Sequence, residues 1–213
     1  MEEKTITEKE GIEIISQMIR RTQQRLQLGQ GNQLLLWGYV CAFTTIVVGI
    51  LAYLQIPWAG WMWFLIPVIG NPISLILRKR QERVAGFISY TDRLTGGLWT
   101  YIGCVGVVIT VLCLIFFIYS GTAGSTIWNL MFLFGFIIGG LGVALQGIIF
   151  QENSLKIGGT VSIVAGYIVL GCLIFWQHNV HLVVLPLFLI SVISMFIIPG
   201  YVLNNKAKKE TDL

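Results

Sequence analysis

The sequence predicts an all-α, polytopic membrane protein: six transmembrane helices arranged as three helical hairpins, preceded by a cytoplasmic amphipathic helix. Three observations predict it. Of the 213 residues, 55% are apolar and only 11% are Asp, Glu, Lys or Arg, with a mean hydropathy of +0.79, whereas a soluble domain carries about 25% charged residues. The apolar residues gather into runs of about the 20 residues that carry a helix across a bilayer. All 14 Lys and Arg fall in alternate connections between these runs. Disordered, coiled-coil and nucleic-acid-binding classes fail on the same composition. The runs are continuous, not alternating strand-sized segments, which excludes an outer-membrane barrel.

The first element, residues 1–33, reads as a cytoplasmic amphipathic helix and hinge. Thr7-x-x-Glu10 is a capping-box pattern, in which each side chain satisfies a backbone N–H at a helix start. Ile12, Ile15, Ile19 and Leu26 then share one stripe, while Arg20, Arg21, Gln23, Gln24 and Gln27 cover other faces. Gly29-Gln30-Gly31-Asn32 predicts the end of this helix. No cleavable leader is expected, because the first 30 residues are polar before any apolar run begins.

The transmembrane domain is read over 34–203, with spans at about 34–54, 58–77, 98–119, 126–150, 157–176 and 180–203. The connections at 55–57, 120–125 and 177–179 carry no charged residue. Basic residues occupy the other side: five before span one, five within the loop 78–97, Lys156, and Lys206, Lys208 and Lys209 in a basic tail at 204–213. By the positive-inside rule both termini are cytoplasmic. All seven tryptophans fall near span ends and are read as an interfacial belt. Leu36-Trp37-Gly38-Tyr39 recurs as Leu98-Trp99-Thr100-Tyr101, and the second helix of each hairpin carries a break at Gly70-Asn71-Pro72, Gly139-Gly140 or Pro199-Gly200. The three hairpins share one orientation, so a repeat would be parallel, about an axis along the membrane normal.

Residues with chemical potential are few. No Asp, Glu, Lys or Arg lies within these spans, and intramembrane chemistry ordinarily uses such groups. No catalytic constellation is present, so the chain reads as a non-enzyme without a cofactor. His178 and His181 are three apart on the outer side; they are weak metal ligands, since zinc takes three or four and no third donor is near. The four cysteines, Cys41, Cys104, Cys113 and Cys172, lie within spans, form no C-x-x-C pair and read as small apolar packing residues. Gly70, Asn71 and Pro72 mark a kink beside which a ligand cavity could open, because proline frees a helix carbonyl. Gly135, Gly139, Gly142, Gly158 and Gly159 read as helix-packing positions, small residues that let backbones approach in lipid. Asn129, Gln146, Thr110 and Ser162 are candidates for interhelical hydrogen bonds. Ile12, Ile15, Ile19 and Leu26, with the membrane-edge Arg78, Lys79 and Arg80, form a surface for lipid or for a protein partner.

The runs Ile14-Ile15-Ser16-Gln17-Met18-Ile19-Arg20, Leu36-Trp37-Gly38-Tyr39 and Phe64-Leu65-Ile66-Pro67-Val68-Ile69-Gly70 resemble a family of bacterial inner-membrane proteins with a polar N-terminal helix and six spans. The resemblance implies the bacterial cytoplasmic membrane and carries no activity. Size and span number also resemble the substrate-binding subunits of vitamin-uptake transporters, but the long outer loops of those subunits are missing. Two functions are therefore expected in order. The first is a membrane anchor or regulator engaging a cytoplasmic or membrane protein partner; the second is an accessory subunit of a small-molecule transporter.

Overall fold

A computed structural model describes residues 8–56, 58–85, 90–120, 130–175 and 181–209; at 8–11, 13–29, 81–85, Phe117, Ser120 and His181 the description is of the backbone. Among these residues the chain is helical, and six helices are long and apolar enough to cross a membrane. The protein is a multi-pass, all-α membrane protein. The spans are Gln30–Tyr53, Ala59–Arg80, Tyr90–Phe116, Leu130–Ile149, Asn153–Phe175 and Leu182–Lys209, called one to six in that order.

Helix α1 runs unbroken from Glu8 to Tyr53. The expected hinge at Gly29-Gln30-Gly31-Asn32 is therefore not a hinge. Gly31 serves an approach instead: a Cβ there would fall on the side-chain oxygen of Asn204 and lie 2.9 Å from the Gly200 carbonyl of span six. A glycine inside a helix costs about 1 kcal/mol relative to alanine, and close contact with a neighbouring backbone is what offsets it here. Thr7 lies outside the described residues.

The connection at 78–97, in which Val84, Phe87, Ile88, Thr91 and Leu94 recur at helical spacing, is helical over its described residues, 78–85 and 90–97, as a continuation of the two spans it joins. Helix α2, Leu65–Ala85, continues through Arg78, Lys79 and Arg80, and α3, Tyr90–Ser120, begins ahead of Asp92. Arg, Lys, Gln and Glu are good helix formers, so the helices outlast their apolar segments. The basic tail is likewise an extension of span six. Its last helical segment, Ile198–Lys209, buries Leu203 and Ala207, and Lys206 pairs with Glu152.

Two spans contain wide turns that apolar-run reading does not reveal. Residues Phe134–Gly139 of span four and Ile193–Ile197 of span six are π-helical. The first ends within the expected break at Gly139-Gly140, and the second ends two residues before Pro199 of the break at Pro199-Gly200. Pro199 cannot donate to the carbonyl four residues back and its ring crowds that oxygen; the wider turn before it relieves this. Helices α4, Gly140–Ile149, and α5, Asn153–Phe175, complete spans four and five. Two helix ends share one device. Gln55 and Gln151 take positive φ, 56° and 55°, and the following amides, Ile56 and Glu152, donate to Leu51 and Gly147 at 3.0 and 2.9 Å. These are Schellman closures with glutamine where glycine is usual.

Span six is central. It packs along spans one and five, and its rings reach the other three: Phe188 meets Trp63 of span two and Phe136 of span four edge to face at 5.5 and 5.2 Å, and Phe196 lies 6.3 Å from Trp99 of span three. The most extensive faces join spans four and five and spans one and six, pairs that belong to different hairpins of the expected scheme. Spans two and three are peripheral, with 6% of their apolar windows buried against 33–39% in the other four. The tryptophans read as an interfacial belt differ in their packing. Trp37, Trp63 and Trp99 pack inward because each finds a ring, a glycine or an acceptor there, whereas Trp58 and Trp61 are exposed. Trp128 and Trp176 lie outside the described residues.

Candidate functional site

The glycines of span five place the spans around it. A Cβ on Gly158 would fall on the Ser194 carbonyl oxygen and lie 3.0 Å from the Met195 Cα, within the π segment of span six. One on Gly159 would lie 2.5 Å from the Gly140 carbonyl oxygen and 2.6 Å from the Ala144 nitrogen of span four. Spans four and six thus cross span five at adjacent residues, at or just beyond their wide turns. The Ser162 hydroxyl, fully buried, donates to the Phe136 carbonyl at 2.9 Å one turn further on.

Of the expected packing glycines, Gly158 and Gly159 take part in backbone crossings. Gly142 lies under Ile102 and Trp99, and Gly135 under Phe188. Gly139 does not pack: nothing approaches its Cβ position within 4 Å, and Gly140 makes the contact. The reason is the π turn, whose bonds run i→i+5. It shifts the facing residue one place along from the i+4 position that the Gly-x-x-x-Gly spacing suggested.

Gly70 also has a packing role. A Cβ there would lie 2.5 Å from Trp37 Cζ3, so the indole of span one packs directly on Gly70. Asn71 donates to the Pro67 carbonyl of its own helix at 3.0 Å, and Asn71 and Pro72 lie on the uncovered face of α2. Trp37 over Gly70 has a counterpart in Trp99, 3.6 Å from the Cβ position of Gly142. In both cases the tryptophan near the start of one span covers a glycine of the next.

The most distinctive polar feature is a hydrogen-bonded relay joining spans one, three and four at the end of the bundle that carries the basic residues. Trp99 Nε1 donates to Gln146 Oε1 at 2.9 Å, Gln146 Nε2 donates to Gln30 Oε1 at 3.4 Å, and Gln30 Nε2 donates to Asp92 Oδ1 at 2.6 Å. An indole N–H can only donate and an ionised carboxylate can only accept. The two ends therefore fix both amide orientations, and every donor points toward Asp92. Gln146 is 2% exposed with both ends of its amide engaged. Such aligned chains reinforce one another in a low-dielectric interior.

Sequence reading named Gln146 and Ser162 as interhelical bonders and both are. It placed Asp92 in a loop and gave Gln30 to the hinge, so the relay itself was missed. The available signal was the spacing of Asp92, Thr95, Trp99 and Ile102, which falls on one face of a helix begun eight residues earlier than expected. Thr110 donates to its own helix at Gly106 and approaches Met131 Sδ at 3.7 Å.

Other polar contacts cluster at the same end: Gln33 with Ser74, the Tyr39 and Tyr201 hydroxyls with each other, Asn204 with Asn32, and Lys206 with Glu152. Arg78, Lys79 and Arg80 are exposed, and the Arg78 guanidinium lies 3.7 Å from the Cβ position of Gly96. Ile12 is exposed, while the side chains of Ile15, Ile19 and Leu26 lie outside the described residues, as do His178, Asn129 and the His181 side chain. No group of three His, Cys, Asp or Glu that could hold a metal occurs among the described residues.

No family model, curated protein or solved structure matches the chain. Its function has to be read from its own chemistry.

Proposed function

We propose that this is an interaction protein of a bacterial cytoplasmic membrane: a six-span anchor whose helical arm, residues 8–29, engages a cytoplasmic protein partner. The observation that carries the reading is the continuity of α1. At 1.5 Å per residue the arm is about 33 Å long, and an unbroken helix cannot both cross the bilayer and lie along its surface. Positions 12, 15, 19 and 26, all apolar, recur on one side of this helix at the spacing of a partner seam.

Charge placement supports the orientation. Arg25 stands about 8 Å from Gln30, the first residue of span one, close enough to gain about 1 kcal/mol from anionic lipid, and Arg20 and Arg21 follow about one turn farther out. Glu8, Glu10 and Glu13 sit farther out, beyond a Debye length of about 8 Å. Both ends of the chain are then cytoplasmic, in keeping with the resemblance to bacterial inner-membrane proteins.

The test is native mass spectrometry of gently extracted protein and of an Ile15→Asp/Ile19→Asp variant. A stoichiometric partner present with the parent and lost from the variant supports the reading; a partner retained by the variant sinks it. A second reading, an accessory subunit of a small-molecule transporter, is favoured by the buried relay, since polar groups at membrane depth usually serve a ligand path. A small molecule retained by the parent and lost on Gln146→Leu, with no protein partner, would favour it.

A further inference from the structure

One polar side chain faces hydrocarbon from span two. Asn71 precedes Arg78, the first charged residue of α2, by seven positions, so it lies about 10 Å inside the membrane edge. It is exposed, and one of its two amide N–H groups donates to the Pro67 carbonyl of its own helix at 3.0 Å. The other N–H and Oδ1 have no partner among the described residues. Pro72, the next residue, has no N–H, so the Val68 carbonyl one turn back loses its ordinary helical donor. Lipid tails can satisfy none of these groups.

The packing of span two leaves this side open. Gly70 lies beneath Trp37 and Ser74 bonds Gln33, so the side of α2 that carries residues 70 and 74 is the one applied to span one. Val68 and Leu75, the neighbours of Asn71 at i−3 and i+4, are 66% and 57% exposed. An amide with a spare donor and a spare acceptor thus stands between two apolar side chains, with nothing over it in the single chain.

The chemistry of the amide selects its partner. A primary amide with one N–H and its oxygen free is its own complement: it can donate to a second such amide while accepting from it. Copies of one chain insert in the same orientation, so their Asn71 residues lie at one depth. A two-fold axis along the membrane normal brings them face to face, an isologous contact of the commonest kind.

We propose that a second copy of this chain docks on the Val68–Asn71–Leu75 face of span two, the two Asn71 amides exchanging a pair of hydrogen bonds. Val68 and Leu75 of both copies flank that pair and shield it from lipid. The dimer carries two arms on the same side of the membrane. The inference is independent of any partner on the arm.

The experiment is energy transfer between donor- and acceptor-labelled copies of the full-length protein in phosphatidylethanolamine–phosphatidylglycerol vesicles, over a range of protein-to-lipid ratios. Saturable transfer is expected. Asn71→Leu should weaken association about tenfold, the loss of two interhelical hydrogen bonds of ordinary strength, and Asn71→Gln, which keeps the amide, should stay within about threefold of the parent. Oxidation of single-cysteine variants otherwise free of cysteine locates the contact. Val68→Cys and Leu75→Cys should form disulfide-linked dimers, and Val107→Cys, exposed on span three, should not. These cross-links form with Asn71 in place, so they test the contact whether or not Asn71→Leu folds. Transfer no greater than that of randomly placed copies overturns the proposal. So does association unchanged by Asn71→Leu, or cross-linking through residue 107 in place of 68 and 75. A monomer that retains a small molecule only while Asn71 is present also counts against the dimer.

Discussion

Alanine at Gly158 and alanine at Gly139 should change stability in opposite directions. At Gly158 the new methyl would meet the Ser194 carbonyl oxygen, with the carbonyl carbon at 2.8 Å and the Met195 Cα at 3.0 Å. All three are backbone atoms, so no side chain can swing aside and spans five and six must part locally by about 1 Å. A gap of 0.5–1 Å forfeits about a quarter to a half of each dispersion contact along the crossing. Overpacking costs about 1–3 kcal/mol, and a rigid neighbour belongs at the upper end; the better helix propensity of alanine returns about 1 kcal/mol. The net expectation is a loss of about 2 kcal/mol. At Gly139 nothing lies within 4 Å of the Cβ position, so only the propensity gain remains, about 0.5–1 kcal/mol. Reversible unfolding in mixed micelles with increasing SDS measures both. If Gly158→Ala stays within about 0.5 kcal/mol of the parent, or if Gly139→Ala falls with it, the assignment of the crossing is wrong.

Other substitutions probe the remaining devices. Gly70→Ala should cost less than Gly158→Ala, about 1 kcal/mol, because the obstacle is the Trp37 indole, which can move; a shift in tryptophan emission should accompany it, and unchanged emission would mean that Trp37 does not cover Gly70. Gln146→Leu removes the middle of the relay and leaves Trp99 Nε1 and the Gln30 oxygen without their partner. Hydrogen bonds between membrane helices average about 0.6 kcal/mol and reach about 1.7, so a loss in that range is expected, together with faster amide exchange in residues 90–99. Exchange confined to other spans would contradict the tie. Gln151→Gly should stabilise by about 1 kcal/mol, since a left-handed non-glycine residue carries about 1–2 kcal/mol of strain, and Gln151→Val should destabilise. Matching shifts for the two variants in SDS titrations would show that the closure at residue 151 is not left-handed.

The existence and number of the spans were legible in the sequence because the length and apolarity a bilayer demands leave few alternatives. Boundaries were legible only where the chain changes character abruptly. At 78–97 helix-forming charged residues carry α2 and α3 past the hydrocarbon, so a change of polarity was not a change of structure. Glycine was ambiguous for a related reason. Gly29-Gln30-Gly31-Asn32 has the composition of a helix stop, yet Gly31 marks a close approach to a residue 173 positions away, and only the folded arrangement distinguishes the two. The π turns displaced the packing register in span four by one residue, which no periodicity of 3.6 reveals. The relay was partly legible: Gln146 stands out as an amide in an apolar run, but Gln30, which accepts from it, lies 116 residues away, and Asp92, to which Gln30 donates, stands like Gln30 near the end of a span, where polar residues are ordinary. Trp99 looked like an interfacial anchor because position along a span says nothing about which way a ring faces.

The central claim is that the arm and the first span form one rod. Spin labels at residues 12 and 41 of a variant otherwise free of cysteine, reconstituted in nanodiscs, measure it by pulsed dipolar spectroscopy. A continuous helix with a 1.5 Å rise predicts a single narrow distance near 44 Å, about 29 residues along one axis. A broad distribution, or a maximum well below about 35 Å, would mean that the chain bends at Gly29–Asn32, that the arm is free to lie on lipid, and that the proposed partner surface loses its footing.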